Sequence, residues 1–186
     1  IWVVCTYSVL RTPMYFFLSN LSFVEICYTT VVVPLMLSNI FGAQKPIPLA
    51  GCGAQMFFFL TLGGADCFLL AIVAYDRYVA ICHPLHYPVL MNPQTNATLA
   101  ASAWLTALLL PIPAVVRTSQ MAYNSIAYIY HCFCDHLAVV QAPALNHPQT
   151  FMGFCIAMVV SFLPLLLVLL SYAHILTSVL RINSQE

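Results

Sequence analysis

The sequence has almost no charge. Five Lys/Arg and five Asp/Glu are spread over 186 residues, 5% of the chain, where a soluble domain carries about a quarter. That excludes a surface built for water, and lipid becomes the solvent for much of the chain. The formal net charge is zero, so nothing signals a nucleic-acid partner. The eight cysteines lack paired CxxC spacing, which argues against a zinc site. No alternating segments of ~10 residues are present, as a transmembrane β-barrel requires. No nucleophile–base pair or metal-ligand cluster stands out, so an enzyme has no support. Repeats and low-complexity tracts are missing too. Without inverted repeats or paired broken helices, a transporter or channel is the weaker class. The chain opens on Ile1-Trp2-Val3-Val4, with no charged start or cleavage site, so no signal peptide is read. Both ends read as cut.

What is present is apolar and long. The chain is 62% hydrophobic, with a mean hydropathy of +0.94. About 20 mostly apolar residues cross a bilayer as a helix. Four stretches qualify: Met14–Phe41, Cys52–Cys82, Ala97–Val116 and Phe151–Leu180. Ile1–Val4 reads as the last turn of an earlier span. Soluble core helices average only ~11–12 residues, and helices alone satisfy their backbone in hydrocarbon without closing a barrel. The fold class expected is an all-α membrane protein.

Loops alternate sides. Arg11, Arg77 and Arg181, with His83 and His86, fall on one face; Lys45 and Arg117 fall on the other. The excess of basic residues marks the first face as cytoplasmic. Cys52, Cys132 and Cys134 then lie on the outer, oxidising side. The sequon Asn96-Ala97-Thr98 falls on the cytoplasmic side and Asn20-Leu21-Ser22 inside a span, so neither is expected to carry sugar.

Three strings carry a resemblance. They are Thr12-Pro13-Met14-Tyr15-Phe16-Phe17-Leu18-Ser19-Asn20-Leu21-Ser22, then Ala74-Tyr75-Asp76-Arg77-Tyr78-Val79-Ala80-Ile81-Cys82-His83-Pro84-Leu85-His86-Tyr87, and Ser171-Tyr172. They resemble, in order, the opening of helix two, the end of helix three and the end of helix five of odorant receptors, rhodopsin-like G-protein-coupled receptors. The resemblance covers essentially the whole chain. It implies a partial seven-helix bundle over 1–186: the end of helix one, helices two to five, and the start of the third cytoplasmic loop. The spans are about 14–41, 52–82, 97–116 and 151–180, with an outer loop over about 117–149. Helices six and seven are expected to lie outside the chain. A truncated or non-functional product remains a rival, which the flanking coding sequence would decide.

The resemblance also implies function. The parent protein would sit in the plasma membrane, bind a small, volatile, hydrophobic odorant, and activate a stimulatory olfactory G protein. The fragment alone is not expected to signal. Met56, Phe59, Leu60, Gly63 and Gly64 recur at three-to-four spacing, hence share one helix face. Their expected role is a ligand wall, completed by Ile156, Ala157, Val160 and Ser161. Cys52 is expected to bond Cys134, with Cys132 a competitor. Two further loop cysteines usual in the family would fall near Asn124 and Ala144, and neither is Cys.

Asp76, Arg77 and Tyr78, with Tyr172, are expected to couple to the G protein. The resemblance implies that Arg77 is held inactive by local polar contacts; its other reading is a snorkelling anchor. Pro164 matches a kinking proline, and Trp104 a tryptophan packed against helices two and three. Glu25 and Asp66 are intramembrane carboxylates, which are usually functional. Either they bind a cation, sodium in related receptors, or they form a neutral, protonated pair. No other cofactor is expected. His131, His136 and His147 read as surface residues and His174 as structural.

Overall fold

A computed structural model of the chain describes residues 12–41, 48–120, 134 and 147–183. The readings made for Cys132, His131, His136, Asn124, Ala144, Lys45 and Ile1–Val4 lie outside these residues. Every element among the described residues is a helix: α1 (Pro13–Ile40), α2 (Leu49–Cys82), α3 (Tyr87–Leu90), α4 (Pro93–Leu109), α5 (Ile112–Ser119) and α6 (His147–Asn183). Four stretches are long and apolar enough to cross a membrane, Pro13–Ser38, Ala50–Cys82, Pro93–Ser119 and Gly153–Leu180. The chain is thus an all-α membrane protein, a partial bundle of transmembrane helices.

Local chemistry sets the ends. Pro13 opens α1, where a missing N–H costs nothing. Along α1 the hydroxyls of Ser19, Ser22, Thr29 and Thr30 donate to carbonyls three or four residues back. A polar side chain facing lipid can satisfy itself on its own helix in this way. Asn92 caps α4, its side-chain oxygen accepting the Thr95 N–H at 2.7 Å, and Pro93 follows at the first helical position. This cap starts the third span four residues ahead of the Ala97 read from hydropathy. That span then runs to Ser119, broken at Leu110–Pro111, because proline lacks the N–H that would pair the Ala107 carbonyl.

Thirty-four residues of α2 rise about 50 Å. That exceeds the ~30 Å hydrocarbon core, so the helix reaches both interfaces. It is the hub, packing against α1, α4, α5 and α6. The centre of the bundle buries Val24, Leu62, Ala65, Leu69, Ala103 and Ala107. Half of these are alanine, since helices in lipid associate by close approach rather than by the hydrophobic effect. Large apolar side chains such as Leu165, Leu169 and Ile26 are exposed, as lipid-facing residues should be.

Candidate functional site

A cavity of about 360 Å³ lies among α1, α2, the α4–α5 break and α6. Phe59, Leu60, Gly63 and Gly64 of α2 line it, facing Ile156, Ala157, Val160 and Ser161 of α6. Met56, expected on the same wall, does not line it. One turn nearer Cys52, it is 1% exposed, consumed by packing. A methyl group on Gly64 would meet Ala107 and Val160 at 3.8 Å, and one on Gly63 would stand 4.0 Å from the Tyr28 ring. Both are ordinary contacts, so the two glycines leave room rather than relieve a clash.

Sequence reasoning missed other parts of the wall. Tyr28 reaches in from α1, with its ring 5.4 Å from that of Phe59. Ala107, Leu110, Pro111 and Ala114 come from the α4–α5 break. A signal existed: broken backbone at membrane depth is tolerated where it is buried or lines a cavity, and Pro111 and Pro113 mark such a break. The polar side chains on the wall are the Tyr28 and Ser161 hydroxyls and the Cys67 thiol. None of the lining residues is charged at neutral pH.

At the outer end of α2, Cys52 is bonded to Cys134, with 5.4 Å between their α-carbons. Both residues are buried. Lower down, Asp66 is partly buried, and its Oδ1 has no hydrogen-bond partner. Glu25 lies exposed on α1, and no hydrogen bond joins the two carboxylates. No group of three or more His, Cys, Asp or Glu arranged for a metal exists among the described residues.

The opposite end holds a second polar cluster. Asp76 is 1% exposed, and its carboxylate accepts the Tyr87 hydroxyl at 2.9 Å. Proline at 84 turns the chain so that α3 brings Tyr87 back beneath α2. Among the described residues no carboxylate lies within ion-pair distance of Arg77. The local contact at this end is therefore made by Asp76 with Tyr87, and Arg77 remains half-exposed. The Tyr78 hydroxyl is 3.3 Å from His83 Nε2, and its ring lies against His174 of α6. Cys82 Sγ is 3.3 Å from Ser178 Oγ. Tyr172 is 53% exposed on α6, while Pro164 is buried within that helix.

Trp104 stacks towards Phe23 and donates its indole N–H to Asn20 Oδ1 at 3.4 Å. It packs against the buried core shared by α1, α2 and α4. Both sequon asparagines are engaged inside the fold. Asn20 also donates to the Phe16 carbonyl, and Asn96, 7% exposed, donates to that of Met91.

The Tyr87–Asp76 bond gives the first prediction. Burial, and then the hydrogen bond to Asp76, push the Tyr87 phenol from its ordinary 10.0 up to about 12. A raised folded pKa means stability fully present below pH 10 and lost as pH rises through about 12. Tyr87→Phe should delete that alkaline step, read by tyrosinate absorbance against the wild type. At neutral pH it should cost about 1–3 kcal/mol, because a buried carboxylate loses its donor. If the step that disappears lies near the ordinary 10.0 rather than at about 12, the contact is not made.

Comparison with known proteins adds the lineage. The family model described as 7 transmembrane receptor (rhodopsin family) matches residues 1–186. The chain is 71% identical to human Olfactory receptor 2AT4 over 95% of its own length and 56% of that protein's. It is 52% identical to human Olfactory receptor 10Q1 over its whole length and 59% of that protein's. To the dog Olfactory receptor-like protein OLF3 it is 41% identical, over 96% of this chain and 57% of the relative. The chain thus spans somewhat over half the length of the curated relatives it matches.

Proposed function

The chain belongs to the rhodopsin family of seven-transmembrane receptors, is similar to olfactory members, and is a multi-pass protein of the plasma membrane; from that premise we propose that its parent protein is an odorant receptor. The family is a class of receptors rather than enzymes. The cavity carries the reading. Its walls are apolar, its polar side chains are two hydroxyls and a thiol, and its volume of about 360 Å³ holds about a dozen water-sized groups at ~30 Å³ each. A small neutral ligand with one polar group suits such a site.

The ligand binds the active conformation more tightly and shifts a pre-existing equilibrium. The response passes to a heterotrimeric G protein of the stimulatory type through Arg77, with Tyr172 of α6 steadying the active form. Asp66, with its orphaned oxygen, and Glu25 would hold a sodium ion or share a proton. When bound, the ion would neutralise charge in the membrane. The orphaned oxygen supports such a partner for Asp66, and the exposure of Glu25 supports it less.

The test is cyclic-AMP output from cells expressing the receptor in its full reading frame, challenged with a panel of neutral volatiles. Gly64→Ala should leave any response nearly unchanged, since its methyl fits. Gly64→Leu should fill the cavity and lower potency by roughly 10-fold or more, since inserted methylenes cost ~1–3 kcal/mol. Cells expressing only residues 1–186 form the baseline, expected to show no odorant-dependent rise. A leucine variant as potent as the wild type would remove this cavity as the ligand site.

A further inference from the structure

Gln55 joins three parts of the outer end. It stands three residues after Cys52, hence on the same helix face. Its Nε2 donates to the Val31 carbonyl of α1 at 3.3 Å, and its Oε1 accepts the Cys134 backbone N–H at 3.3 Å. One amide therefore links α2 to α1 and to the loop residue that the disulfide already holds. Meeting both demands takes a side chain that donates and accepts at once, as an amide does. One turn further down the same face, Phe59 meets Tyr28 of α1 across the cavity rim.

We infer that Gln55 is a positioning residue for the ligand cavity, a non-covalent clasp that seats the outer loop at Cys134 and fixes the spacing of α1 and α2 above Tyr28 and Phe59. The disulfide sets how far the loop end can travel from α2. The clasp sets where it rests, because a single bond leaves rotation about its own torsions. With the clasp open, Cys134 is no longer held against α2 and the buried disulfide meets solvent. The consequence for ligand entry rests on the odorant-receptor reading; the clasp itself does not.

The experiment follows reduction of Cys52–Cys134 by a membrane-impermeant phosphine, with the full chain in right-side-out vesicles from expressing cells. Gln55→Ala should be reduced roughly five-fold faster than the wild type, the worth of about one net hydrogen bond. Gln55→Glu supplies the sharper readout. Its neutral carboxylic acid can both donate and accept, whereas the carboxylate only accepts. Relative to the wild type at each pH, its disulfide should be protected near pH ~4 and exposed near pH ~8, on either side of a carboxyl titration. Wild-type protection in the alanine variant, or a pH-independent rate ratio in the glutamate variant, would overturn the inference. If the alanine variant fails to insert, the glutamate profile decides alone. No odorant is needed, so a failed odorant panel and a failed clasp are separate results.

Discussion

Cys52→Ser should destabilise the outer half of the bundle by about 2–4 kcal/mol and sharply reduce delivery to the cell surface. The bond joins residues 82 apart. For a free chain, closing a loop of that length corresponds to about 4.5 kcal/mol of unfolded-state entropy at 25 °C. Inserted helices already restrain the ends of this chain, so the lower range applies. Cys134→Ser should match it, because either change leaves the same open loop. The double variant should cost no more than either single one, the signature of a shared interaction. Thermal unfolding in nanodiscs and surface labelling measure both. If the two single variants differ widely, or their costs add, Cys52 is not paired with Cys134 alone.

The other large effect concerns signalling. Arg77→Ala in the full receptor should lower ligand-stimulated nucleotide exchange on the G protein by 10-fold or more, within the ~5–150-fold range of allosteric couplings. Its surroundings give the reason. Asp76 is buried and holds the Tyr87 hydroxyl, and the adjacent guanidinium acts on it through charge, without a hydrogen bond. The arginine is half-buried at the end of α2, where the proposed coupling would place the partner. Arg77→Lys keeps the charge but loses the planar fork, and should recover only part of the exchange rate. A receptor with alanine at 77 that signals normally would reduce the residue to an anchor at the headgroups.

Much of this arrangement was legible in the sequence. Span positions follow from apolar length, which the bilayer dictates. That Phe59, Leu60, Gly63 and Gly64 share one α2 face follows from helical periodicity, and the role of that face as a wall, like that of α6, from family resemblance. Met56 shows the limit of that rule, since periodicity gives a face but not where along it packing ends and open space begins. Tyr28 and Ala107 were out of reach because their presence at the cavity depends on how α1 and α4 are rotated against α2. The Tyr87–Asp76 bond crosses a proline-turned corner whose path no periodicity describes. In the sequence, Gln55 is a lone polar residue near a helix end. Its significance appears only when the Val31 carbonyl and the Cys134 N–H are seen on either side of it.

One property of α2 reaches further. Between Gly64, on the cavity wall, and Arg77 the helix contains no proline, and thirteen residues span about 20 Å. Both stations ride on a single stiff rod, so a load at either end is felt at the other. For the odorant receptor proposed above, energy conservation makes that traffic two-way: whatever factor the odorant would add to the affinity for the transducer, the transducer would return to the odorant. Cells rich in the G protein should therefore smell the same vapour at lower concentration, without any change in the binding wall.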